Sequence, residues 1–562
     1  MSIEDDRYGV SAALRQIARA LTLGGGSRFR ALAYDRAAKA SAALGDRLPS
    51  LASENRLTDI PGIGPSIAAV VTEILETGES RLLARLREEH GPGAGELMRV
   101  PGLGPRKIRT LCQELGIGSI DELRDALAAG RIRALRGFGV KSERALARAV
   151  ARPIEPQRLR LADARAIAAG LIDHLASAGI AQWVEPVGEL RRWRDVIERI
   201  ELLATLSDHD LAWRRDASFE RFASAPRVAR VTERISDRME VALVDGLSAT
   251  LHMTARRYRA WATFVTTGAE RHVKKLAAPR SLRGARTEGE IYAALGLPFV
   301  PPELREDEGE IEAARPGERF DDLVRVEDVR GAVHCHTDYS DGVATVEEMA
   351  RGAADRGLEF ITITDHSPSA HYANGLDEAR LRAQWSEIDR SRAALPIDVL
   401  RGTESDIRRD GHLDYASSVL RSLDVVIASI HARFKLDEDQ MTERLVTAMR
   451  EPIFKIWGHG LGRLVMRRQP IECGVPEILD ALAESRGAVE LNGDPSRLDL
   501  EPRWAREARR RSIPFVISTD AHSVTGLDHL EYGVALARRA GVRRREVLNA
   551  LPAEAFRAAV RP

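Results

Sequence analysis

Histidines and carboxylates stand at or near the ends of short, apolar, β-branched runs in the C-terminal part of the chain. Such runs include FITIT (360–364), DVVIASI (424–430) and PFVIST (514–519). Runs of this kind predict strands, and the carboxyl ends of parallel strands meet at one mouth of an α/β barrel. Side chains far apart in sequence can converge there, and the candidates are His334, His336, Asp341, His366, Glu404, His431, His459, Asp520 and His522.

These nine side chains are six imidazoles and three carboxylates, which is the donor set of a metal centre. One ion takes fewer ligands, so the set indicates two or three divalent ions, with Mn²⁺ expected and Zn²⁺ or Fe²⁺ as alternatives. His334 and His336 are two positions apart in a strand-like segment, which would direct both to one face. Glu404 is a carboxylate that can bridge two ions. Any one histidine alone could be an ordinary residue, but nine in ordered signatures favour a hydrolytic, multinuclear site.

Composition agrees with a large intracellular protein. The chain has 562 residues, 44% of them hydrophobic and 30% charged, which predicts about three or four globular domains. Lys+Arg and Asp+Glu number 84 each, so any nucleic-acid contact must come from local patches. Three distant cysteines, an acidic N-terminus and the lack of an apolar run of about 18 residues favour a cytoplasmic protein that does not cross a membrane.

Three glycine-centred segments recur in the N-terminal part: IPGIGP (60–65), VPGLGP (100–105) and LRGFGV (135–140). A Gly-x-Gly turn between two helices lets backbone N–H groups approach a phosphate. Residues 101–150 carry ten Lys/Arg against five Asp/Glu, an excess suited to DNA. One such turn is also an ordinary helix connection, but three in tandem resemble helix-hairpin-helix elements, which grip the DNA backbone without reading sequence. The predicted DNA-binding residues are Gly62, Gly64, Gly102, Gly104, Arg106, Lys107, Gly137, Gly139 and Lys141.

The segment from about residue 328 to 555 resembles a PHP domain (polymerase and histidinol phosphatase), a distorted seven-stranded α/β barrel with a trinuclear metal centre. The motifs HCHTDYSDG (334–342), TITDH (362–366) and STDAH (518–522) carry the resemblance. It implies three ion sites, formed by His334, His336, Glu404 and Asp520, by Glu404, His431 and His459, and by Asp341, His366 and His522. It also implies catalytic, phosphate-contacting roles for Arg433 and Arg463, because a guanidinium binds phosphate oxygens in a bidentate manner.

The order of segments suggests a resemblance that spans the whole chain. VGELRR (187–192) resembles the nucleotide-binding G-S-x-R-R motif of bacterial family X DNA polymerases, VTTGA (265–269) their T-G-S turn, and FVPPELR (299–305) their passage from thumb to linker. The implied fold is multidomain α/β, with an N-terminal all-α helix-hairpin-helix region, a central α+β nucleotidyltransferase-like palm and thumb, and a C-terminal distorted (βα)7 PHP barrel. The implied domains are 1–85 with the first hairpin, 86–155 with the other two, 156–300 as palm and thumb, 301–327 as a surface linker, and 328–562 as the PHP domain.

The residues that polymerase chemistry needs do not follow this resemblance. Family X polymerases hold two Mg²⁺ ions with three palm aspartates. Alignment on the motif's arginine pair places the first two at Arg199 and Glu201 and the third near Thr250, while Glu189 occupies the motif's serine position. A register shifted by one residue would make Glu198 and Glu201 the pair instead. In the first register a cation, a longer acid and a neutral hydroxyl replace the aspartates, so the polymerase site is predicted to be degenerate.

The sequence therefore predicts a metal-dependent DNA phosphodiesterase, either a 3′–5′ exonuclease or an enzyme that processes 3′ ends or abasic sites in DNA repair. It would be a cytoplasmic, nucleoid-associated monomer that binds gapped, nicked or 3′-ended DNA without sequence preference. The alternatives are an active family X polymerase with an exonuclease, a small-molecule phosphatase of the histidinol phosphatase type, and a non-enzymatic DNA scaffold. The hairpins argue against the phosphatase, Arg199 against the polymerase, and the complete ligand set against the scaffold.

Overall fold

The chain forms two compact units in a computed structural model. The first comprises Met1–Gly268 with Ala278–Ile291, and the second Ala269–Ala277 with Tyr292–Pro562. The structure describes residues 10–23, 28–44, 47–60, 62–77, 80–90, 97, 100–151, 157–209, 211–244, 246–432 and 434–562. The domain boundaries expected from the sequence are finer than this division, and they stay a prediction.

The described residues of the N-terminal part of the first unit form helices joined by turns and short irregular segments. Its α-helices are Val10–Leu23, Arg28–Leu44, Arg47–Ser53, Pro65–Thr77, Arg81–His90, Pro105–Leu115, Ile120–Ala128 and Val140–Ala151, with 3-10 turns Leu57–Asp59 and Ile132–Ala134. A capping box starts one of them, since the Ser119 hydroxyl accepts from Glu122 N–H and the Glu122 carboxylate accepts from Ser119 N–H. The helices bury two apolar clusters, one around Leu14 and Val71 and one around Leu111 and Leu123.

A mixed five-stranded sheet forms the rest of the first unit. Its strands are β2 (Trp183–Val187), β4 (Arg199–Leu206), β5 (Val228–Ile235), β6 (Arg238–Leu243) and β7 (Ser248–Ala255), and β1 (Leu159–Arg160) pairs separately with β3 (Val196–Ile197). The order is β2–β4–β7–β6–β5, in which β4 and β7 are parallel and the other neighbours antiparallel. The helices of this part are Leu161–Ala176, Gly188–Arg191, Leu211–Ala223 and Arg259–Thr267, with 3-10 turns Arg256–Tyr258 and Arg280–Gly284.

A seven-stranded parallel sheet forms the centre of the second unit. Its strands are β8 (Gly331–Cys335), β9 (Phe360–Ile363), β10 (Asp398–Asp406), β11 (Val425–Ser429), β12 (Lys455–Trp457), β13 (Gly487–Asn492) and β14 (Phe515–Ser518). They are arranged in the order β14–β13–β12–β11–β10–β9–β8. Almost all of their residues are buried, which explains why the strands read as continuous apolar runs. Ala521 N–H donates to His334 O at 3.0 Å and His336 N–H to Ala521 O at 2.8 Å, so the sheet nearly closes into a barrel.

Helices cover the barrel strands. The α-helices of the second unit are Glu270–Leu276, Glu310–Ala314, Val346–Asp355, Glu378–Ala394, Ser417–Leu420, Glu438–Met449, Val475–Glu484, Pro502–Arg510, Leu530–Arg539 and Ala553–Val560, and the helix Glu288–Ala294 spans the boundary along the chain. Its 3-10 turns are Pro302–Leu304, Val326–Asp328, His371–Ala373, Thr525–His529, Arg544–Glu546 and Leu548–Ala550. The segment expected as a surface linker (301–327) buries Ile311 and Val324. Its linker role stays a prediction.

The fold class expected from the sequence is confirmed: a helical N-terminal region, a central α+β region and a nearly closed seven-stranded parallel barrel. Among the described residues, no helix combines the length and the apolar character that crossing a bilayer would require.

Candidate metal centre

His334 and His336 lie where the first barrel strand ends. The register between β8 and β9 is irregular from Ala332 to Cys335, and His334 has a left-handed φ of 68°. The two imidazole rings nevertheless come together, with centroids 5.2 Å apart, while Cys335 packs into an apolar cluster with Ala332. The two imidazoles lie on one side of the strand, as expected. Both the strand alternation and the irregular backbone at His334 bring them together.

The other barrel strands bring further predicted ligands to the same mouth. Glu404 lies on β10, while His366, His431, His459 and Asp520 follow β9, β11, β12 and β14. His459 and Asp520, like His334, have left-handed φ values, 26° and 48°. Such a conformation costs a residue with a side chain on the order of 1–3 kcal/mol and persists only where the surroundings enforce it. The barrel therefore holds these side chains in place at a cost in backbone energy.

All nine predicted ligands lie in one cluster. Four groups have donor atoms that are all within 4.8 Å of one another: His336, Asp341, His366 and His522; His334, His459 and Asp520; His334, His336 and Glu404; and His366, Glu404 and His431. Shared members link the groups to one another. The first group contains the set implied for the third ion, with His336 added.

Glu404 is at the centre of the cluster. Its carboxylate oxygens lie 2.7 Å from His459 Nε2, 2.9 Å from His366 Nδ1 and 3.1 Å from His431 Nε2. His334 Nε2 is 3.4 Å away. A carboxylate surrounded in this way is placed where a bridging ligand would be needed, and the bridging role of Glu404 stays a prediction.

The donor atoms of the cluster fit divalent metal ions. Many are buried and make no hydrogen bond to any part of the chain that the structure describes: His334 Nε2, both ring nitrogens of His336 and of His459, His366 Nδ1, His431 Nε2 and both oxygens of Glu404. A buried polar atom without a partner costs about 1–3 kcal/mol, so a group of them directed at one another indicates a site for metal ions. Imidazole nitrogens and carboxylate oxygens are the donors that Zn²⁺, Mn²⁺ and Fe²⁺ bind.

The surroundings give two of these side chains the protonation state that metal binding needs. At four others burial alone would lower the pKa, but neighbouring carboxylates outweigh it and raise the pKa: His334, His366, His431 and His522. Burial, with His522 and His366 nearby, lowers the pKa of His336 to about 3, so this imidazole is neutral. Burial alone would raise the pKa of the Glu404 carboxyl, but the surrounding imidazoles, led by His431, hold it well below its ordinary value. Metal ligands must be deprotonated, and both residues are.

Two carboxylates that sequence reasoning missed orient the ligand imidazoles. Glu490, fully buried on β13, has Oε1 2.5 Å from His334 Nδ1, and its other oxygen accepts from His459 N–H. Asp406 Oδ1 lies 2.9 Å from His431 Nδ1. Each carboxylate fixes one ring nitrogen, so that the opposite nitrogen faces the cluster. Asp406 stands two positions after Glu404 on β10, which is a signal that could have identified it, whereas Glu490 belongs to no motif that marks ligands.

We expect Glu490→Gln to weaken Mn²⁺ binding about 10- to 100-fold, the usual effect of removing a carboxylate that orients a ligand histidine. Isothermal titration of the metal-free protein with Mn²⁺ would measure the change. Glu472→Gln, at an exposed glutamate, is the matched control and should leave the affinity unaltered. Equal affinities for the two variants would contradict an orienting role for Glu490.

The arginines expected near the phosphate have different surroundings. Arg433 lies outside the described residues. The Arg463 guanidinium donates to the backbone carbonyls of Arg497, at 2.9 Å, and Leu498, and approaches Glu501 at 3.5 Å. The catalytic roles of Arg433 and Arg463 stay predictions. Sequence reasoning missed Arg497, whose Nε lies 2.8 Å from Oδ2 of Asp520 and which therefore places a cation beside the ligands.

The three expected hairpins share one backbone geometry. The first glycine of each is left-handed, with φ of 94° at Gly62, 87° at Gly102 and 88° at Gly137, and the next residue donates its N–H to a carbonyl three positions earlier, at 3.0 Å in every case. The second glycines are exposed, and nothing lies within 4 Å of an added Cβ: Gly64, Gly104 and Gly139. This leaves the backbone open to an approaching phosphate.

Basic side chains accompany two of the hairpins. Arg106 and Lys141 are exposed. Lys107 Nζ lies 3.5 Å from Gly102 O and 3.4 Å from Ser142 Oγ. The second and third hairpins are thus in contact through Lys107, and they present cations together with open backbone.

The palm positions lie on adjacent strands, as the alignment expected. The β4–β7 register places Glu201 beside Thr250, and Arg199 starts β4 with an exposed side chain. Thr250 is buried, and Glu201 Oε1 lies 3.3 Å from His252 Nε2. The described part of the palm therefore has Glu201 as the single carboxylate among the three aligned positions.

The neighbouring glutamates are engaged elsewhere. Glu198 Oε1 lies 2.9 Å from Arg158 Nε, and the Glu189 carboxylate accepts from the Glu198 N–H at 2.8 Å. Burial raises the pKa of Glu189. In the motif that resembles a nucleotide-binding loop, Arg191 donates to Glu288 at 2.6 Å and to Thr267 at 2.7 Å.

Three protein families match parts of the chain. Residues 9–80 match the helix-hairpin-helix domain, residues 94–151 the SAM-like helix-hairpin-helix tandem, and residues 332–493 the PHP domain. The helical region and the barrel are therefore of the types that the sequence resembled.

The curated relatives match either nearly the whole chain or about two fifths of it. The DNA polymerase/3′-5′ exonuclease PolX of Bacillus subtilis (strain 168) is 31% identical over 559 residues, which is 96% of each chain. A probable phosphatase of Thermoanaerobacter sp. (strain X514) is 29% identical over 229 residues, 38% of this chain and 88% of its own. A probable phosphatase of Caldanaerobacter subterraneus subsp. tengcongensis is 27% identical over 233 residues, which is 38% of this chain and 85% of its own. Since the first similarity spans the hairpins, the palm region and the barrel with its nine clustered donors, the chain belongs to the bacterial PolX family.

Proposed function

We propose that the chain is a metal-dependent DNA phosphodiesterase that acts in DNA repair, as a 3′–5′ exonuclease or on 3′ ends and abasic sites. The observation that carries this proposal is the single cluster of nine ligand side chains, with unbonded donor atoms directed at one another. The hairpins, with backbone open to phosphate, support DNA as the substrate. Family membership agrees with the nuclease, because the Bacillus subtilis relative is named as a DNA polymerase and 3′-5′ exonuclease.

The proposed chemistry divides between the ions and the chain. Bound divalent ions would neutralise charge on the phosphate and lower the pKa of water. The ion sets would be those implied by the PHP resemblance, with Glu404 shared between two of them. Glu490 and Asp406 hold ligand rings in orientation. Arg497 adds a guanidinium beside Asp520, where it can offset the charge of the pentacovalent phosphate together with Arg433 or Arg463.

We also propose that the palm of this chain is not a working polymerase site. Arg199 and Thr250 stand at two of the three positions where aspartates would hold Mg²⁺. Arg191, in the loop that would meet a triphosphate, is already paired with Glu288, and Glu189 adds a carboxylate there. The palm then serves as scaffold or as a DNA-binding platform.

The remaining expectations belong to this proposal. Mn²⁺ is the expected ion, with Zn²⁺ or Fe²⁺ as alternatives. The DNA would be gapped, nicked or 3′-ended and bound without sequence preference, since the hairpins offer backbone and cations rather than groups that read bases. The protein would work as a monomer in the cytoplasm, at the nucleoid.

A small-molecule phosphatase is the second candidate, and the similarity of part of the chain to probable phosphatases favours it. Those relatives match 38% of this chain, so most of it has no counterpart in them. A phosphatase that acts on small esters has no use for three backbone-presenting hairpins, so DNA is the better substrate for the whole chain.

The experiment that separates these functions uses the pure full-length protein and 5′-labelled gapped DNA, with and without nucleotides, in Mn²⁺, Mg²⁺ or Zn²⁺. We expect the labelled strand to shorten in Mn²⁺ whether or not nucleotides are present. Hydrolysis of histidinol phosphate with intact DNA would instead support the phosphatase. A protein that is inactive in all three metals would instead support a non-enzymatic DNA scaffold.

We expect Gly104→Val to weaken DNA binding about tenfold, on any base sequence, because the added side chain covers the amide that meets the phosphate. The protein itself has room for it, since nothing lies within 4 Å of a Cβ at Gly104 and its φ is −86°. Fluorescence anisotropy with two unrelated duplexes at one salt concentration would measure the loss. Gly170→Ala, also at an exposed and open glycine, is the control; equal affinities would place the DNA contact elsewhere.

A further inference from the structure

An exposed aromatic side chain stands at the mouth of the metal centre. Tyr372 is 69% exposed and lies on the 3-10 turn His371–Ala373. Its ring centroid is 6.0 Å from that of His366 and 6.1 Å from that of His431. Both histidines belong to the ligand cluster, so the aromatic face of Tyr372 is one side chain away from the place where a phosphate would bind.

The loop that carries Tyr372 is fixed by short-range contacts. Leu376 N–H donates to His366 O at 2.8 Å, and Leu376 O accepts from the Tyr415 hydroxyl at 2.5 Å. Gly375 packs so closely that an added Cβ would overlap the Ser367 carbonyl oxygen. The exposed tyrosine is therefore carried by a loop that hydrogen bonds and close packing fix in place. A ligand that stacks on it does not have to order this loop first.

The chemistry of the centre suggests what contacts this ring. A phosphodiester bound at the ligand cluster brings the sugar and base of its nucleotide to the surrounding surface. Every nucleobase has a π-face, and stacking on an aromatic side chain is tolerant of base identity. A small phosphate ester without a ring would leave Tyr372 in water.

We propose that Tyr372 stacks on the base of the nucleotide whose phosphodiester is cleaved, and so selects nucleic acid over small phosphate esters. This inference rests on the 3′–5′ exonuclease form of the proposed function, in which a terminal nucleotide with an intact base is the substrate. Tyr372 would contact substrate and determine specificity, while the ligand cluster and its neighbours carry the bond cleavage.

The proposal predicts a dependence on the base itself. Two 5′-labelled oligonucleotides that differ only at the 3′-terminal residue, a normal nucleotide or an abasic tetrahydrofuran, would be degraded by wild type and variants in single-turnover reactions. Half-maximal rate on the abasic-ended DNA should need about 5- to 150-fold more wild-type enzyme than on the normal end, the range expected for one stacked base. Tyr372→Ala should lose this preference by binding the normal end more weakly, with the abasic end unchanged.

Further variants distinguish stacking from bulk or from support of the metal ligands. Tyr372→Phe keeps the ring and should behave as wild type, whereas Tyr372→Leu keeps bulk without a π-face and should behave as Tyr372→Ala. His371→Ala, at the exposed neighbour on the same turn, should retain the preference. The Mn²⁺ content of each variant is measured alongside.

Three outcomes would overturn the stacking role. They are a wild type that does not distinguish the two ends, a Tyr372→Leu variant that keeps the preference, and a Tyr372→Ala variant that loses activity equally on both ends together with metal. A wild type that degrades neither oligonucleotide would instead remove the nuclease proposal itself, so the two failures are told apart.

Discussion

Glu404→Gln is expected to abolish Mn²⁺-supported DNA degradation, with a fall in rate on the order of 10³ or more. Glu404 contributes to two of the four donor groups and lies within 3.1 Å of three ligand imidazoles. Divalent ions supply several kcal/mol of transition-state stabilisation in phosphoryl chemistry, and each 1.36 kcal/mol is about tenfold in rate. A neutral amide cannot bridge two ions, so metal content should fall as well.

Release of nucleotides from 5′-labelled DNA measures the rate, and elemental analysis of the dialysed protein measures the metal. DNA binding by anisotropy should change little, because the hairpins are not altered. Glu347→Gln is the matched control, since this exposed carboxylate is paired with Arg351 on the surface, where such pairs contribute little. Degradation by Glu404→Gln at the wild-type rate would remove Glu404 from the centre.

Primer extension is expected to be undetectable, even in a variant that cannot degrade its products. Two Mg²⁺ ions bring four positive charges, which three carboxylates normally offset. Here Glu201 alone remains, and Arg199 adds a cation on the same strand. A like-charge contact at about 4 Å costs up to roughly 4 kcal/mol at an effective dielectric constant of 20. Loss of two oxygen ligands weakens Mg²⁺ binding further.

His336→Ala should disable the nuclease, so that the assay reports extension alone. A gapped template, all four nucleotides and either Mg²⁺ or Mn²⁺ complete the reaction, and a single-nucleotide readout detects even one addition. Extension by this variant that disappears when Glu201 is also replaced would show that the palm binds metals after all. It would then favour the shifted register, in which Glu198 and Glu201 are the ligand pair.

Most of the candidate site could be predicted because its signals are local. Each of the nine residues lies on a barrel strand or in the segment that follows one, and the carboxyl ends of parallel strands meet at one mouth of the barrel. The hairpins could also be predicted, because the turn itself requires left-handed glycines such as Gly62 and Gly102.

The residues that contact the predicted ligands could not all be predicted, because only the folded barrel brings them next to those ligands. Glu490 reaches His334 across 156 sequence positions, and no local pattern distinguishes it from other glutamates on strands. The contacts of Arg463 with the carbonyls of Arg497 and Leu498 also depend on how two loops pack together. A guanidinium's partners are a property of the tertiary structure, so the motif alone could not decide between Arg463 and Arg497 as the cation nearest the ligands.

The left-handed backbone at His334, His459 and Asp520 sets metal binding against fold stability. Glycine adopts these φ values without strain. A glycine at any of these positions would therefore relieve the strain but would also remove the side chain that binds the metal. A chain that still carries donors there accepts a strained backbone in exchange for a function. At the aligned palm positions, Arg199, Glu201 and Thr250, φ is negative, and nothing in the backbone records a comparable demand. The left-handed backbone at these three barrel positions, and its absence at the three aligned palm positions, agree with the proposal that the barrel holds metal ions and the palm does not.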